Sequence, residues 1–310
     1  MRSWRLFSQT LIRYKHYFME KIKKAVFIIN PVAGGGDKQP VLQQIKKYLL
    51  NDISYEIINW DSPHQKTEII KCIKESNFDL AVAVGGDGTI NQVAQAVANS
   101  DKKLAIIPVG SGNGLARHLQ IPLNVKAAID VINKGKSICI DSCNVNGLFF
   151  VCTSGIGFDA LIGKLFAESK TRGFYTYFKL TMSQFMKYKP QDYQLFINEK
   201  EINTKAFLIT FANASQYGNN VYIAPQANIH DGMIDVCILK PFNLWNVPAL
   251  GMRMFNKTIH RSPFMETYRT KNLLVKRNKS GPVHYDGEPH EMGELLRYEL
   301  LPSSLNVLIP

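Results

Sequence analysis

Long apolar runs are missing from this chain. No stretch reaches the ~18 residues that a membrane-crossing helix needs, so the sequence offers no helical membrane span. Cysteine is scarce and unpaired in pattern. Cys72, Cys139, Cys143, Cys152 and Cys237 are odd in number, form no CxxC pair and lie mostly in apolar segments, which fits buried thiols in a reducing compartment better than a disulfide framework. Cys139 and Cys143 are four apart, but no nearby His or further Cys completes a zinc set. Carboxylates are outnumbered: 25 Asp and Glu against 37 Lys and Arg leave a formal net charge of +12. Such a charge attracts a nucleic acid, a nucleotide or an acidic membrane surface and does not choose among them. No helix-turn-helix, zinc or aromatic RNA-binding signature accompanies it, which argues against nucleic acid. Neither a Gly-Lys-Ser/Thr P-loop nor a GxGxxG fingerprint is present, and no internal repeat or low-complexity linker divides the chain.

What is present reads as a soluble globular protein of 310 residues, 45% hydrophobic and 20% charged, long enough for two ordinary domains. Residues 1–23 form a basic amphipathic extension in which Arg2, Arg5, Arg13, Lys15, Lys21 and Lys23 alternate with Trp4, Phe7, Leu11, Tyr14 and Phe18. It reads as an interfacial helix for anionic lipid. Met19, just before the first strand, is an alternative start of translation. A signal peptide fits poorly, because charges break the apolar part and no cleavage site comes after it.

The chain is organised around the segment from Asp79 to Gln95, DLAVAVGGDGTINQVAQ. An apolar strand, Leu80 to Val84, enters a Gly-Gly-Asp-Gly turn, and a helix leaves it with Thr89, Ile90, Val93 and Val97 on one face. Glycines let a ligand approach the main chain, and the helix start offers free N–H groups and a positive dipole end. This corner suits phosphate. An Asp inside it repels polyphosphate unless a divalent cation intervenes, so the turn points to a metal-nucleotide. Two further glycine loops, Gly34 to Gly36 after the strand Ala25 to Asn30 and Gly110 to Gly114 after the strand Leu104 to Val109, stand at the same ends of their strands. Alternating strands and helices predict a parallel sheet covered on both faces, with ligands beyond the carboxyl ends of the strands. All three loops then share one edge.

Past residue 135 the pattern turns to β, with strands expected at Ile138 to Val145, Phe149 to Gly155, Tyr193 to Ile197, Phe207 to Asn213, Met233 to Leu239 and Leu273 to Arg277. Helices are expected at Asp159 to Ala167, Phe174 to Lys187 and Leu244 to Phe255. The expectation is an antiparallel sandwich. Two acidic loops stand in it, Asn228 to Asp235 (NIHDGMID) and Val283 to Pro289 (VHYDGEP). Each contains an Asp-Gly pair that is also a common hairpin turn. Asp286 and Glu288, two apart, would share a face in an extended segment and could divide the proton-transfer work of a kinase site.

The ordered set Asn30-Pro31, Gly34 to Gly36, Gly85-Gly86-Asp87-Gly88-Thr89, Pro108 to Asn113, Gly155 to Ala160, Asp231 to Asp235 and Asp286-Gly287-Glu288 resembles the diacylglycerol kinase catalytic-domain family. Bacterial lipid kinases, sphingosine kinases and ceramide kinases belong to it. GGDGT alone is shared with NAD kinases and resembles the phosphofructokinase loop; the ordered set is more specific. The resemblance implies an α/β phosphofructokinase-like nucleotide-binding domain over residues 24–135, followed by a β-sandwich lipid-binding domain over 136–310. It implies ATP and Mg²⁺ as cofactors and a lipid alcohol, diacylglycerol or a sphingoid-base-like molecule, as acceptor. It also implies a cytoplasmic enzyme held peripherally on an anionic membrane surface, with a homodimer allowed. By the same resemblance Asn30, Gly34, Gly35, Gly36, His64, Gly86, Asp87, Gly88, Thr89, Ser111 and Asn113 line the ATP site. Asp286 is then the general base, Glu288 its helper and Asp87 the Mg²⁺-ATP ligand. A structural Mg²⁺ falls on the Asp231 carboxylate with main-chain oxygens of Asn228 and Met233. Two positions depart from the diacylglycerol kinase pattern: Gly114 stands where Asp is usual, giving a Ser-Gly-Asn-Gly-Leu-Ala run closer to sphingosine kinases, and Gln92 stands where Glu is common. The rival expectations are an NAD kinase-like small-molecule kinase and a catalytically silent lipid- or nucleotide-binding regulator.

Overall fold

A computed structural model describes residues 18–19, 21–31, 38–60, 66–169 and 174–310. After a two-residue strand β1 (Phe18–Met19), strands and helices alternate: β2 (Lys24–Ile29), α1 (Gln39–Tyr48), β3 (Ser54–Asn59), α2 (Lys66–Glu75), β4 (Leu80–Gly85), α3 (Asp87–Val97), β5 (Lys103–Pro108), α4 (Gly114–His118) and α5 (Val125–Lys134). Strands β3, β2, β4 and β5 lie side by side in parallel register. All six residues of β4 are buried. This is why its sequence is an unbroken apolar run rather than an alternating one. Helix α3 buries Thr89, Ile90, Val93 and Val97, the positions whose spacing predicted the helix.

The second half is β-rich: β6 (Lys136–Val145), β7 (Leu148–Phe150), β8 (Thr153–Gly157), α6 (Phe158–Glu168), α7 (Phe174–Phe185), β9 (Gln191–Ile197), β10 (Lys200–Ala206), β11 (Leu208–Ala212) and β12 (Ile234–Leu239). It continues with α8 (Val247–Phe255), β13 (Met265–Thr270), β14 (Asn272–Arg277), β15 (Gly281–Tyr285), β16 (Glu288–Met292) and β17 (Leu295–Leu308). An antiparallel six-stranded sheet, β13-β12-β11-β8-β15-β16, faces the strands β10, β9, β14 and β17 across a core in which Phe211 stacks on Tyr298 with ring centroids 3.7 Å apart. The chain is therefore an α/β unit with a parallel sheet followed by a β-sandwich.

One long strand ties the two together. The first part of β17 pairs antiparallel with β14, β6 pairs antiparallel with it from Tyr298 to Leu308, and on the other side Asn306 and Val307 pair in parallel with Lys103 and Leu104 of β5. The register of β17 shifts between Leu301 and Leu305, where Ser303 takes a positive φ of 47°. This irregularity lets a single strand serve the sandwich and the parallel sheet in turn. The carboxyl ends of β4 and β5 consequently face the β8 and β15 end of the sandwich in one continuous frame.

Candidate active site

The first wall of the site is made by two glycine loops in contact. Val109 N donates to Gly85 O at 3.0 Å, and a Cβ on Gly110 would fall 2.4 Å from Gly86 Cα. Glycine is required there because backbone meets backbone. Asp87 then bridges the loops: its Oδ2 accepts from Asn113 N at 2.9 Å and its Oδ1 from Gly114 N at 2.7 Å. Burial is the larger influence on this carboxyl and pushes it up to about 6; the Gly114 and Asn113 amides pull it down, and the negative Asp286 pushes it further up. Asn30 joins the same corner, with Nδ2 3.3 Å from Thr89 Oγ1. Asn113 sits in the left-handed region at φ 55° and donates from Nδ2 to Gly110 O at 2.8 Å. Gly114 backs onto the carbonyls of Gln216 and Tyr217, which a Cβ would meet at 3.4 and 3.5 Å. Those are ordinary van der Waals distances, so nothing in the structure explains the glycine at this position. Gly34, Gly35, Gly36 and His64, expected at the nucleotide, lie outside the described residues.

The opposite wall is the tight turn between β15 and β16. Asp286 and Gly287 both take positive φ, 45° and 86°, between the paired Tyr285 and Glu288, the geometry a two-residue hairpin turn requires. The turn aims Asp286 inward. Its Oδ1 accepts from Cys152 N at 2.8 Å and Thr153 N at 3.0 Å, and its Oδ2 from Val151 N at 2.8 Å and Asn91 Nδ2 at 2.9 Å. Burial pushes the Asp286 carboxyl above the usual value, and these four donors pull the other way. Four N–H groups fill the four lone-pair positions of the carboxylate. Glu288 is placed differently. It is exposed, and its Oε1 lies 2.7 Å from where a Cβ on Gly88 would stand. No described residue hydrogen-bonds its carboxylate.

A cavity of about 490 Å³ lies between these walls. Asp87, Ser111 and Gly112 line it on one side, Asp286 and Gly287 on the other, and Asp159, His284, Phe166 and Val221 where it extends into the sandwich. The structure thus gathers Asn30, Gly86, Asp87, Gly88, Thr89, Ser111, Asn113, Asp286 and Glu288 at one junction. It also adds a buried polar cluster that spacing alone does not reveal. Asp159 Oδ2 accepts from His284 Nε2 and from Tyr217 Oη, each at 3.1 Å, and Asp159 Oδ1 accepts from Ala160 N at 2.8 Å. The sequence hint is that His284, near the end of β15, stands two residues before the Asp286 turn. Cys152 also lines the cavity, but burial raises its thiol well above the ordinary value, which makes it a poor nucleophile.

The Asp231 loop departs from expectation. Asn228, Asp231 and Met233 do meet: Asp231 N donates to Asn228 O at 3.4 Å and Met233 N to Asp231 Oδ1 at 3.1 Å. Yet Arg269 pairs with Asp231 Oδ2, and its Nε lies 3.7 Å from Asp235 Oδ1. One guanidinium thus stands against two carboxylates at the place where the structural Mg²⁺ was expected. Among the described residues no cluster of three or more His, Cys, Asp or Glu side chains is placed to hold a metal.

Comparison with known proteins places these features in a family. Residues 24–145 match the diacylglycerol kinase catalytic domain, and residues 153–309 match the YegS C-terminal NAD kinase beta sandwich-like domain. A diacylglycerol kinase of Bacillus subtilis is 33% identical over 296 residues, covering 89% of this chain and 95% of that protein. A diacylglycerol kinase of Mycobacterium tuberculosis is 27% identical over 268 residues, with 83% and 86% covered. The crystal structure of a diacylglycerol kinase from Bacillus anthracis superposes with a TM-score of 0.72 at 20% identity, covering 94% of this chain and 98% of the other. With a nucleotide-type glycine corner facing a DGE hairpin, and with both family regions matched in order, the chain belongs to the diacylglycerol kinase family of lipid kinases.

Proposed function

We propose that this kinase transfers the γ-phosphoryl group of ATP to a hydroxyl of a membrane lipid, diacylglycerol or a sphingoid-base-like alcohol, in the cavity between its two halves. The nucleotide phosphates rest on main-chain N–H groups at the start of α3 and on the Gly110 to Gly114 loop, with Asn30, Thr89, Ser111 and Asn113 around them. The family resemblance adds Gly34 to Gly36 and His64, which lie outside the described residues, to the nucleotide ligands. A divalent cation suits the Asp87 wall, where a hard oxygen donor faces the cavity half-buried and near the negative Asp286. Mg²⁺ bound there supplies the positive charge that offsets the polyphosphate.

The observation that carries this assignment is the contrast between the two carboxylates of the DGE turn. Asp286 was expected to be the base and Glu288 its helper. The hydrogen bonds support the reverse. Asp286 can accept a proton only by giving up one of four N–H partners, so it acts as the positioning residue that fixes the turn. Glu288 has no competing donor among the described residues and faces the backbone of Gly88, where the acceptor hydroxyl must meet the phosphoryl group. Glu288 is then the group that takes the hydroxyl proton, while the amides around the two glycine loops bind and orient the phosphates. The apolar reach of the cavity toward Phe166 and Val221 accommodates the lipid chain next to the reacting hydroxyl.

The test is incubation of the purified chain with γ-labelled ATP, Mg²⁺ and a total lipid extract. Label entering the organic phase is the expected result. Label transferred to NAD with none in lipid would replace this function with an NAD kinase activity, and ATP binding without any transfer would leave a non-catalytic regulator.

A further inference from the structure

Helix α8 is apolar on the wrong side. Leu250 is buried, and Met254 packs against the same cluster. The opposite stripe, where a surface helix carries polar residues, holds Pro248, Met252 at 65% exposure and Phe255 at 54%. The preceding 3-10 turn, Leu244–Asn246, extends the stripe with Leu244 at 50% and Trp245 at 90%. These positions, 244, 245, 248, 252 and 255, match helical spacing, so they form one ridge rather than scattered exposures. Next to it, Phe185 at the end of α7 packs on Phe242 with ring centroids 5.7 Å apart, and the adjacent Met186 is 72% exposed.

Within the segment that carries the ridge the charge has one sign, and the acidic residue just beyond it, Glu266, is paired with Lys240. From Pro241 to Met265 the chain holds Arg253, Lys257 and Arg261 and no Asp or Glu. Lys257 also lies over the Tyr222 ring at 4.6 Å. An exposed indole, flanking aliphatic and aromatic side chains and a cationic border are the features of a surface that sits in the headgroup layer of an anionic bilayer. The ridge is also joined to the cavity. Met254 O accepts from Tyr222 N at 3.1 Å, Val221 lines the cavity, and Asn219 N donates to Gly112 O of the second glycine loop at 3.2 Å.

We propose that the ridge from Leu244 to Phe255 is the face by which the protein seats on an anionic lipid surface, with the cavity beside it positioned to draw its acceptor from that surface. This rests on the lipid-kinase function for its purpose, though not for its geometry. It also places a membrane contact on the folded body of the protein, separate from the basic extension at residues 1–23, of which residues 1–17 and 20 lie outside the described residues and Phe18–Met19 form strand β1 rather than helix.

The experiment compares wild type with a Trp245→Ala, Phe255→Ala double variant and with a Lys257→Glu, Arg261→Glu double variant. Binding is measured by sedimentation with vesicles of phosphatidylcholine alone and with one-third phosphatidylglycerol. Turnover is measured on long-chain lipid alcohol in those vesicles and on a short-chain, water-soluble lipid alcohol. The expected result is at least a tenfold loss of binding to the anionic vesicles in both variants. Turnover should fall in parallel on vesicles and stay unchanged on the soluble acceptor. Unchanged vesicle binding in both variants would overturn the proposal, as would a ridge variant whose only change is loss of self-association in sedimentation velocity, which would make the face a contact between copies. If wild type phosphorylates no lipid alcohol while the variants still lose vesicle binding, the docking face stands and the kinase function falls.

Discussion

Asn91 and Asp286 are 195 residues apart in sequence and joined by a 2.9 Å hydrogen bond from Asn91 Nδ2 to Asp286 Oδ2. The same amide group donates to Phe149 O at 3.0 Å. One side chain from the helix after the glycine turn thus holds both the acidic hairpin and the end of β7. Replacing Asn91 with Ala leaves a buried carboxylate short of a donor. The expected loss is about 1.5–3 kcal/mol of stability, measurable as a lower midpoint in urea unfolding, with activity lost through a misplaced hairpin.

The two carboxylates of the hairpin separate cleanly by mutation. Glu288→Gln is expected to lower kcat by roughly 10²–10⁴-fold while leaving the thermal midpoint unchanged, because Glu288 is exposed and bonded to no described residue. Asp286→Asn instead places an amide NH₂ against N–H donors and should lose both fold stability and activity. A stable, inactive Asp286→Asn beside an active Glu288→Gln would restore the assignment expected from sequence.

Asp87 links stability to pH with a definite sign. Its carboxyl is raised in the folded state from 3.8 to about 6, so the folded protein holds a proton that the unfolded chain releases. The group imposes no penalty below about pH 4, and stability falls as pH rises through the window from about 4 to 6. Because the residue faces the cavity rather than solid core, the expected cost is about 1–3 kcal/mol. Asp87→Asn should flatten this part of the stability profile in the nucleotide-free protein while abolishing phosphoryl transfer. A profile with the same slope in both proteins would contradict the placement of the group.

Gly155 guards the Asp159–His284 pair. A Cβ there would fall 2.3 Å from Asp159 Oδ2 and 2.5 Å from His284 Nε2. Gly155→Ala must therefore push the pair apart, at a cost of about 1–3 kcal/mol. A lower thermal midpoint and a raised KM for the lipid acceptor, with KM for ATP unchanged, are the expected readouts.

Arg269 should make the Asp231 loop indifferent to chelation. Incubation with EDTA is expected to leave the thermal midpoint in place. Arg269→Met should lower stability by about 1–3 kcal/mol, between the values for exposed and buried pairs, since Asp235 is left buried beside Asp231 without its cation. A large drop in the midpoint on EDTA treatment would point to a metal in place of the guanidinium.

Much of this frame is written locally. The apolar run of β4, the glycine turn and the spacing of Ile90, Val93 and Val97 specify strand, corner and helix within one short segment, so that unit is readable from sequence alone. The DGE hairpin is legible as a turn, but its inward carboxylate is not. The donors that saturate Asp286 come from Asn91 and from Val151 to Thr153, and no spacing rule joins them. β17 is hidden for a related reason. Its alternation breaks at Pro302 and Ser303, and its partners β5, β6 and β14 are remote in sequence. The Asp159–His284 pair, 125 residues apart, likewise exists only once β8 and β15 are neighbours.

The central claim is that a lipid hydroxyl is phosphorylated across this junction with Glu288 as base. Its most direct test is transfer of label from γ-labelled ATP to diacylglycerol, a sphingoid base and NAD in parallel, by wild type and Glu288→Gln of equal thermal midpoint. A labelled lipid product made by wild type and reduced about a hundredfold or more in the variant is the predicted result. Equal lipid phosphorylation by both proteins, or label in NAD alone, would contradict it.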